Sequence, residues 1–121
     1  MSSSSLVAVV DDDAAVRDSL DSLVRSLGFQ VAVFSSAEEF LSTAELNNVG
    51  CLITDVQMPN MSGVELHEYL TEKNIHIPTL FITAFPEETV RKRAMTGSAL
   101  CFLAKPFQAH VLIDHLSRAL S

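Results

Sequence analysis

Five short apolar runs, each followed by a stretch with helical spacing, constrain the fold of this chain more than any other feature. The runs cover residues 6–10, 30–34, 51–54, 79–83 and 99–103. Continuous apolar sequence rich in β-branched residues, as in the first run, is typical of strands that are covered on both faces. Five consecutive strand-helix units therefore predict an α/β fold built on a doubly wound parallel sheet.

The same pattern predicts the strand order. Crossovers between parallel strands are right-handed, and the common arrangement for a (βα)5 chain is the flavodoxin-like order 2-1-3-4-5. A chain of 121 residues with 48% hydrophobic content is the size of one domain, so residues 1–121 are expected to share one core. Ligands of such sheets bind at the carboxyl ends of the strands.

Capping residues indicate where four of the helices begin. Asp13 can cap the first helix, and the segments 36–39 and 62–65 both match the Ser-x-x-Glu capping box. Pro86 suits the first turn of the fourth helix, where a missing N–H carries no penalty.

The charge and hydropathy exclude several kinds of protein. A formal charge of -7 and a pI near 4.9 argue against direct nucleic acid binding, which requires a concentrated basic surface. The serines after Met1 lack the basic start of a signal peptide, and no apolar run approaches the roughly 18 residues that span a bilayer. We expect a soluble, cytoplasmic protein without a membrane partner.

Both cysteines, Cys51 and Cys101, lie inside apolar runs and are expected to be buried free thiols. In the predicted order the fourth strand separates them, so they would be about 9 to 10 Å apart, beyond disulfide reach.

Three carboxylates follow neighbouring predicted strands: Asp11 and Asp12 follow the first, and Asp55 ends the third. Carboxylates brought together at one sheet edge repel one another unless a cation compensates. An all-oxygen set that leaves room for water and phosphate oxygens suits Mg²⁺ better than a closed Ca²⁺ cage. Alternatively, the acidic triplet 11–13 only caps the first helix and stays solvated.

Two more strand ends add chemistry to this edge. Thr83 supplies a hydroxyl after the fourth strand, and Lys105 supplies an ammonium after the fifth. Metal, ammonium and hydroxyl around one carboxylate are the groups that neutralise a phosphoryl group in transfer, with Asp55 as the nucleophile. The sequence therefore predicts an aspartyl phosphate.

Four motifs occur in combination: Val10-Asp-Asp12, Asp55-Val-Gln-Met-Pro-Asn-Met-Ser-Gly63, Ile82-Thr-Ala84 and Phe102-Leu-Ala-Lys-Pro-Phe107. With these motifs the chain resembles, from residue 6 to residue 120, the receiver domain of bacterial two-component response regulators, particularly receivers of the FixJ type.

The resemblance implies a role for each site residue. Asp55 would accept the phosphoryl group of a sensor histidine kinase or a small acyl phosphate. Asp12 and Asp55 would ligate Mg²⁺ directly and Asp11 through water, with the backbone carbonyl of Gln57 completing the set. Lys105 would pair with the phosphoryl oxygens, and its bond to Pro106 would be cis.

The resemblance also implies a switch. The Thr83 hydroxyl would move toward the phosphoryl group, and the ring of Phe102 would turn inward. The surface of the fourth helix, fifth strand and fifth helix would then change and support homodimerisation. The switched surface would control a DNA-binding output domain, which FixJ-type receivers usually precede, or a protein partner. A chain ending at Ser121 is therefore expected to be either an isolated receiver fragment or a natural single-domain regulator.

Two other functions fit the residues less well. Phosphoaspartate phosphatases typically place a second Asp two residues after the nucleophile, and this chain has Gln57 there. A flavodoxin-like FMN protein would need a phosphate loop rich in Ser, Thr and Gly, which is lacking. A regulatory switch rather than an enzyme is therefore predicted, in which Phe85 departs from the family pattern and could cover the pocket.

Overall fold

The computed structural model of the chain describes residues 6–43 and 45–120. The strands are β1 (Leu6–Val10), β2 (Gln30–Phe34), β3 (Val49–Asp55), β4 (Thr79–Thr83) and β5 (Ala99–Ala104). The helices are α1 (Ala14–Ser26), α2 (Ala37–Thr43), α3 (Gly63–Glu72), α4 (Glu88–Ala94) and α5 (Ala109–Leu120), with a 3₁₀ turn at Leu46–Asn48. None of the described helices combines the length and apolar composition needed to cross a membrane.

The five strands form one parallel sheet in the order β2-β1-β3-β4-β5, which confirms the predicted topology. Val10 pairs with Thr54, and Thr83 pairs with Ala104. These pairs lie at or next to the carboxyl ends of their strands, so the residues that follow β1, β3, β4 and β5 lie at the same edge of the sheet.

Side chains on the two faces of the sheet enter separate apolar clusters, as the period of two along a strand requires. Val7, Val9 and Ile53 pack with α1 and α5, while Ala8 and Leu52 pack with α2 and α3. Every residue of β3 is buried. Helices on both faces explain why the central strands are continuously apolar rather than alternating.

The predicted helix starts are partly confirmed. Asp13 caps α1, and the segment 62–65 forms a complete capping box at α3. In the segment 36–39, the Glu39 backbone N–H donates to Ser36 Oγ, and the Glu39 carboxylate accepts from the backbone N–H of Ser35. The described bond back to the Glu39 carboxylate thus comes from the residue before Ser36.

The predicted place of Pro86 is wrong. Helix α4 begins at Glu88, and Glu87 is its N-cap with an extended backbone (φ -127°, ψ 137°). The first helical bond runs from Arg91 N–H to the Glu87 carbonyl, so Pro86 lies in the preceding loop. The extended backbone at Glu87 prevents the helix from reaching back to the proline.

Cys51 and Cys101 are buried and free, as predicted from their strands. Burial raises the pKa of Cys51 to about 12 and that of Cys101 to about 11. Both thiols are therefore protonated and unreactive at neutral pH, because the thiolate is the nucleophilic form.

Candidate functional site

Three carboxylates meet at the carboxyl edge of the sheet. One oxygen each from Asp11, Asp12 and Asp55 lies within 4.8 Å of the others. Asp55 is the last residue of β3, and Asp11 follows β1 directly. The pairing of these two strands produces the cluster that the strand order predicted.

The carboxylates of the acidic triplet, residues 11–13, have two different roles. Asp13 accepts a hydrogen bond from Ala15 N–H at 2.9 Å and caps α1, so the capping interpretation holds for this residue. Asp11 instead accepts from Asp13 N–H at 2.9 Å through Oδ1, which leaves Oδ2 toward Lys105. The Arg17 guanidinium donates to the Asp11 carbonyl at 2.7 Å, a support that no spacing rule in the sequence indicated.

Burial makes the site electrostatically strained. Asp11 is fully buried and Asp55 is 5% exposed. Burial raises the pKa of both carboxyls, and for Asp55 the neighbouring Asp11 charge contributes further, giving a value of about 6. The Lys105 ammonium lowers both pKa values and so opposes this effect. Its Nζ lies 3.4 Å from Asp11 Oδ2 and 3.7 Å from Asp55 Oδ2.

The cluster fits a hard divalent cation. Oδ1 of Asp55 is buried and has no hydrogen-bond partner within the described part of the chain. A buried carboxylate oxygen without a donor is costly unless a ligand satisfies it. All three side chains offer oxygen, the ligand atom that Mg²⁺ prefers. The donor set therefore matches the predicted magnesium site.

Thr83 is buried at the end of β4, and the described hydrogen bonds of its hydroxyl are to Gln57 and Phe85. Oγ1 donates to Oε1 of Gln57 and accepts from Phe85 N–H at 3.0 Å. The side chain of Gln57 thus touches the site, whereas the sequence assigned a role only to its backbone carbonyl. The Phe85 ring is 67% exposed, and its effect on access to the pocket stays a prediction.

Three aromatic rings contact one another in sequence in the region between α3, α4 and the sheet. Phe102 is partly buried and packs against Phe81, with ring centroids 6.2 Å apart. Phe81 also meets the ring of His67 edge-on at 5.4 Å. The bond from Lys105 to Pro106 is cis, as the resemblance implied.

Two buried residues of α3 were missed from sequence. A Cβ at Gly63 would overlap the backbone carbonyl oxygen of Asp55, so only glycine fits where α3 begins against the end of β3. His67 is 2% exposed, and both ring nitrogens lack a partner among the described residues. Its position on the buried face of α3 was the available signal, since it lies three residues after Val64 and three before Leu70.

The basic cluster 91–93 on α4 is partly structural. Arg93 forms a two-pronged ion pair with Glu68 of α3, with both N–O distances at 2.7 Å. Arg91 pairs with Glu88 within the helix at 3.6 Å. Arg93 therefore links α4 to α3, while the rest of the cluster is a solvated helical face.

Comparisons with known proteins agree with this geometry. The family model described as "Response regulator receiver domain" matches residues 7–117. Nodulation protein W of Bradyrhizobium diazoefficiens is 42% identical over 113 residues, covering 93% of this chain and 50% of that protein. Transcriptional regulatory protein FixJ of Rhizobium meliloti is 41% identical and covers 93% of this chain and 55% of its own length. The chain thus spans about half the length of these curated relatives.

Solved structures of response regulators are also similar to this chain. The response regulator StyR superposes with a TM-score of 0.88 at 44% identity, covering 95% of this chain and 58% of that one. The crystal structure of FixJ-N superposes with a TM-score of 0.82 at 40% identity, covering 94% and 91%.

Proposed function

Because this chain belongs to the response regulator receiver domain family, we propose that it is a phosphorylation-controlled switch whose acceptor is Asp55. The single observation that carries the proposal is the unpartnered Oδ1 of Asp55, buried beside Asp11 and within reach of the Lys105 ammonium. This arrangement offers a nucleophile whose surroundings can neutralise an incoming phosphoryl group.

Asp55 is suited to attack phosphorus. With a pKa of about 6, it is mostly ionised at pH 7.5, and the carboxylate is the nucleophilic form. An oxygen of Asp55 would form the new P–O bond while the P–N bond of a donor phosphohistidine breaks. The bonding electron pair would leave with the imidazole nitrogen of the sensor histidine kinase.

Asp11, Asp12 and Asp55 would hold Mg²⁺ with the backbone carbonyl of Gln57, and the ion would supply charge neutralisation for the transferred phosphoryl oxygens. Lys105 would leave its ion pairs with Asp11 and Asp55 and pair with the same oxygens. Its distances of 3.4 and 3.7 Å to Asp11 Oδ2 and Asp55 Oδ2 support this role, because an ammonium beside Asp55 would be within reach of a phosphoryl group on that residue.

The output would follow from a change at Thr83 and Phe102. A phosphoryl group on Asp55 attracts the Thr83 hydroxyl, and movement of the β4 end frees space that the partly buried Phe102 ring can fill. The altered surface is the α4, β5 and α5 face, which would support a homodimer. Since this chain spans about half of its relatives' length, control of an attached transcriptional output is part of the proposal. A cytoplasmic location is part of it too, because ATP-derived phosphodonors are intracellular.

Phosphoaspartate phosphatase activity is not favoured. Such an enzyme requires an acid/base group beside the acceptor, and the residue two positions after Asp55 is Gln57, whose amide oxygen accepts from Thr83. Relatives of this chain include two that are named as transcriptional regulatory proteins, TdiR of Thauera aromatica and FixJ of Rhizobium meliloti. The switch therefore assists its own modification without converting an external substrate.

The proposal is tested by incubating the protein with acetyl phosphate and Mg²⁺ and measuring intact mass. The wild type should gain one phosphoryl group, and Asp55→Asn should gain none. Asp18→Asn removes an exposed carboxylate on α1 and serves as the matched control, which should be modified as the wild type is. An unchanged wild-type mass, or modification of Asp55→Asn, would refute the assignment.

A further inference from the structure

We propose that the Gln57 side chain restrains the switch by holding the Thr83 hydroxyl proton, so that a phosphoryl group on Asp55 must compete with an amide oxygen for it. This inference rests on the proposed function of Asp55. It assigns to the Gln57 side chain a positioning role that is separate from the role of its backbone carbonyl.

The restraint spans two strand ends. Gln57 follows β3 by two residues, Thr83 ends β4, and the two are 26 residues apart in sequence. Thr83 is fully buried, so its hydroxyl needs a partner before phosphorylation as well as after it. Gln57 Oε1 is the acceptor that meets this need in the described structure.

The competition follows from the number of hydrogen atoms. A threonine hydroxyl donates one hydrogen bond and accepts others through its lone pairs. Here the proton goes to Gln57, and Phe85 N–H donates to a lone pair at 3.0 Å. A second acceptor on Asp55 can therefore gain the proton only when the bond to Gln57 is given up.

Gln57 is well placed to tune the switch without blocking it. Its side chain is exposed, so the amide oxygen can bond water once Thr83 leaves. The restraint then costs about one net hydrogen bond, which corresponds to roughly a three- to tenfold change in an equilibrium constant. This is a modest bias toward the unphosphorylated arrangement of Thr83, and a phosphoryl group on Asp55 can overcome it.

The test uses beryllofluoride, BeF₃⁻, as a phosphoryl analogue on the whole chain at saturating Mg²⁺. Gln57→Met keeps the length of the side chain and the backbone carbonyl but removes the acceptor. It should bind BeF₃⁻ roughly three- to tenfold more tightly than the wild type. In a Thr83→Val background, which has no hydroxyl, Gln57→Met should leave the affinity unchanged, so the double-mutant cycle isolates the hydrogen bond.

The outcomes are distinct. An equal gain in both backgrounds, or no gain with Thr83 present, would overturn the restraint while leaving Asp55 as the acceptor. Failure of the wild-type protein to bind BeF₃⁻ would overturn the proposed function and the restraint together. A second readout without ligand is the Phe85 amide ¹H–¹⁵N signal, which should shift in Gln57→Met because the hydroxyl that accepts from it is released; an unmoved signal would also count against the restraint.

Discussion

Replacing Asp55 by asparagine should stabilise the metal-free protein, even though the substitution removes the reactive group. Burial and the Asp11 charge raise the pKa of Asp55 from 3.8 to about 6, so its ionised form is less stable in the folded chain than in the unfolded chain. At about 1.4 kcal/mol per pH unit, this difference corresponds to about 3 kcal/mol at neutral pH. The side chain is only 8% exposed, so solvent screening reduces the figure little.

The effect has a defined pH dependence. A carboxyl whose folded-state pKa is raised contributes most favourably while it is protonated, below 3.8. This contribution is lost as the pH rises through about 6. The advantage of Asp55→Asn should therefore be about 2 to 3 kcal/mol at pH 7.5 and shrink toward zero near pH 4.

Thermal unfolding followed by circular dichroism in EDTA measures this directly. For a chain of this size, the predicted gain corresponds to a rise in Tm of roughly 6 to 15 °C at pH 7.5. Adding Mg²⁺ should reduce the difference in Tm between Asp55→Asn and the wild type, because a cation that binds the folded wild type stabilises it. Asp12→Asn removes a charge from the same cluster at an exposed position and should give a smaller gain in EDTA while weakening Mg²⁺ binding.

Two results would refute the reasoning. One is an Asp55→Asn variant no more stable than the wild type at pH 7.5 in EDTA. The other is a gain that is the same at pH 4 and pH 7.5, which would assign the effect to packing or hydrogen bonding rather than to charge.

Three further predictions concern packing around the site. His67→Leu should raise the free energy of unfolding by about 1 to 2 kcal/mol, because two buried nitrogens without partners are removed. Since burial lowers the pKa of His67, the wild type should lose more stability than the variant below about pH 6.5. In denaturant titrations the control His76→Gln, at an exposed position, should differ little from the wild type. Gly63→Ala should cost about 1 to 3 kcal/mol and slow acetyl phosphate labelling, because the new methyl overlaps the Asp55 carbonyl; a wild-type urea midpoint would contradict this. Phe85→Gly should leave stability nearly unchanged, because the ring is 67% exposed, but alter the lifetime of the aspartyl phosphate; equal decay rates would dismiss a role for the ring.

The fold could be predicted from local patterns because each pattern has one simple physical cause. Runs of buried strand residues, capping side chains and glycine or proline breaks are properties of short segments. The handedness of crossovers then narrowed the possible strand orders, and the common order for five strand-helix units is the one observed. Pro86 was misplaced because the helix start depends on the backbone angle at Glu87, which the preference of proline for a first turn does not determine.

The sequence also determined which residue types end each strand, and hence the approach of Asp11, Asp55 and Lys105 at one edge. That part was predictable because parallel strands in a known order bring their carboxyl ends together. Tertiary structure alone decided how each side chain is used there. Asp13 turns to the helix while Asp11 turns to the site, and the Thr83 hydroxyl bonds to Gln57 across 26 residues of chain. These choices depend on which partner lies within hydrogen-bond distance after packing, and a sequence pattern carries no such distance.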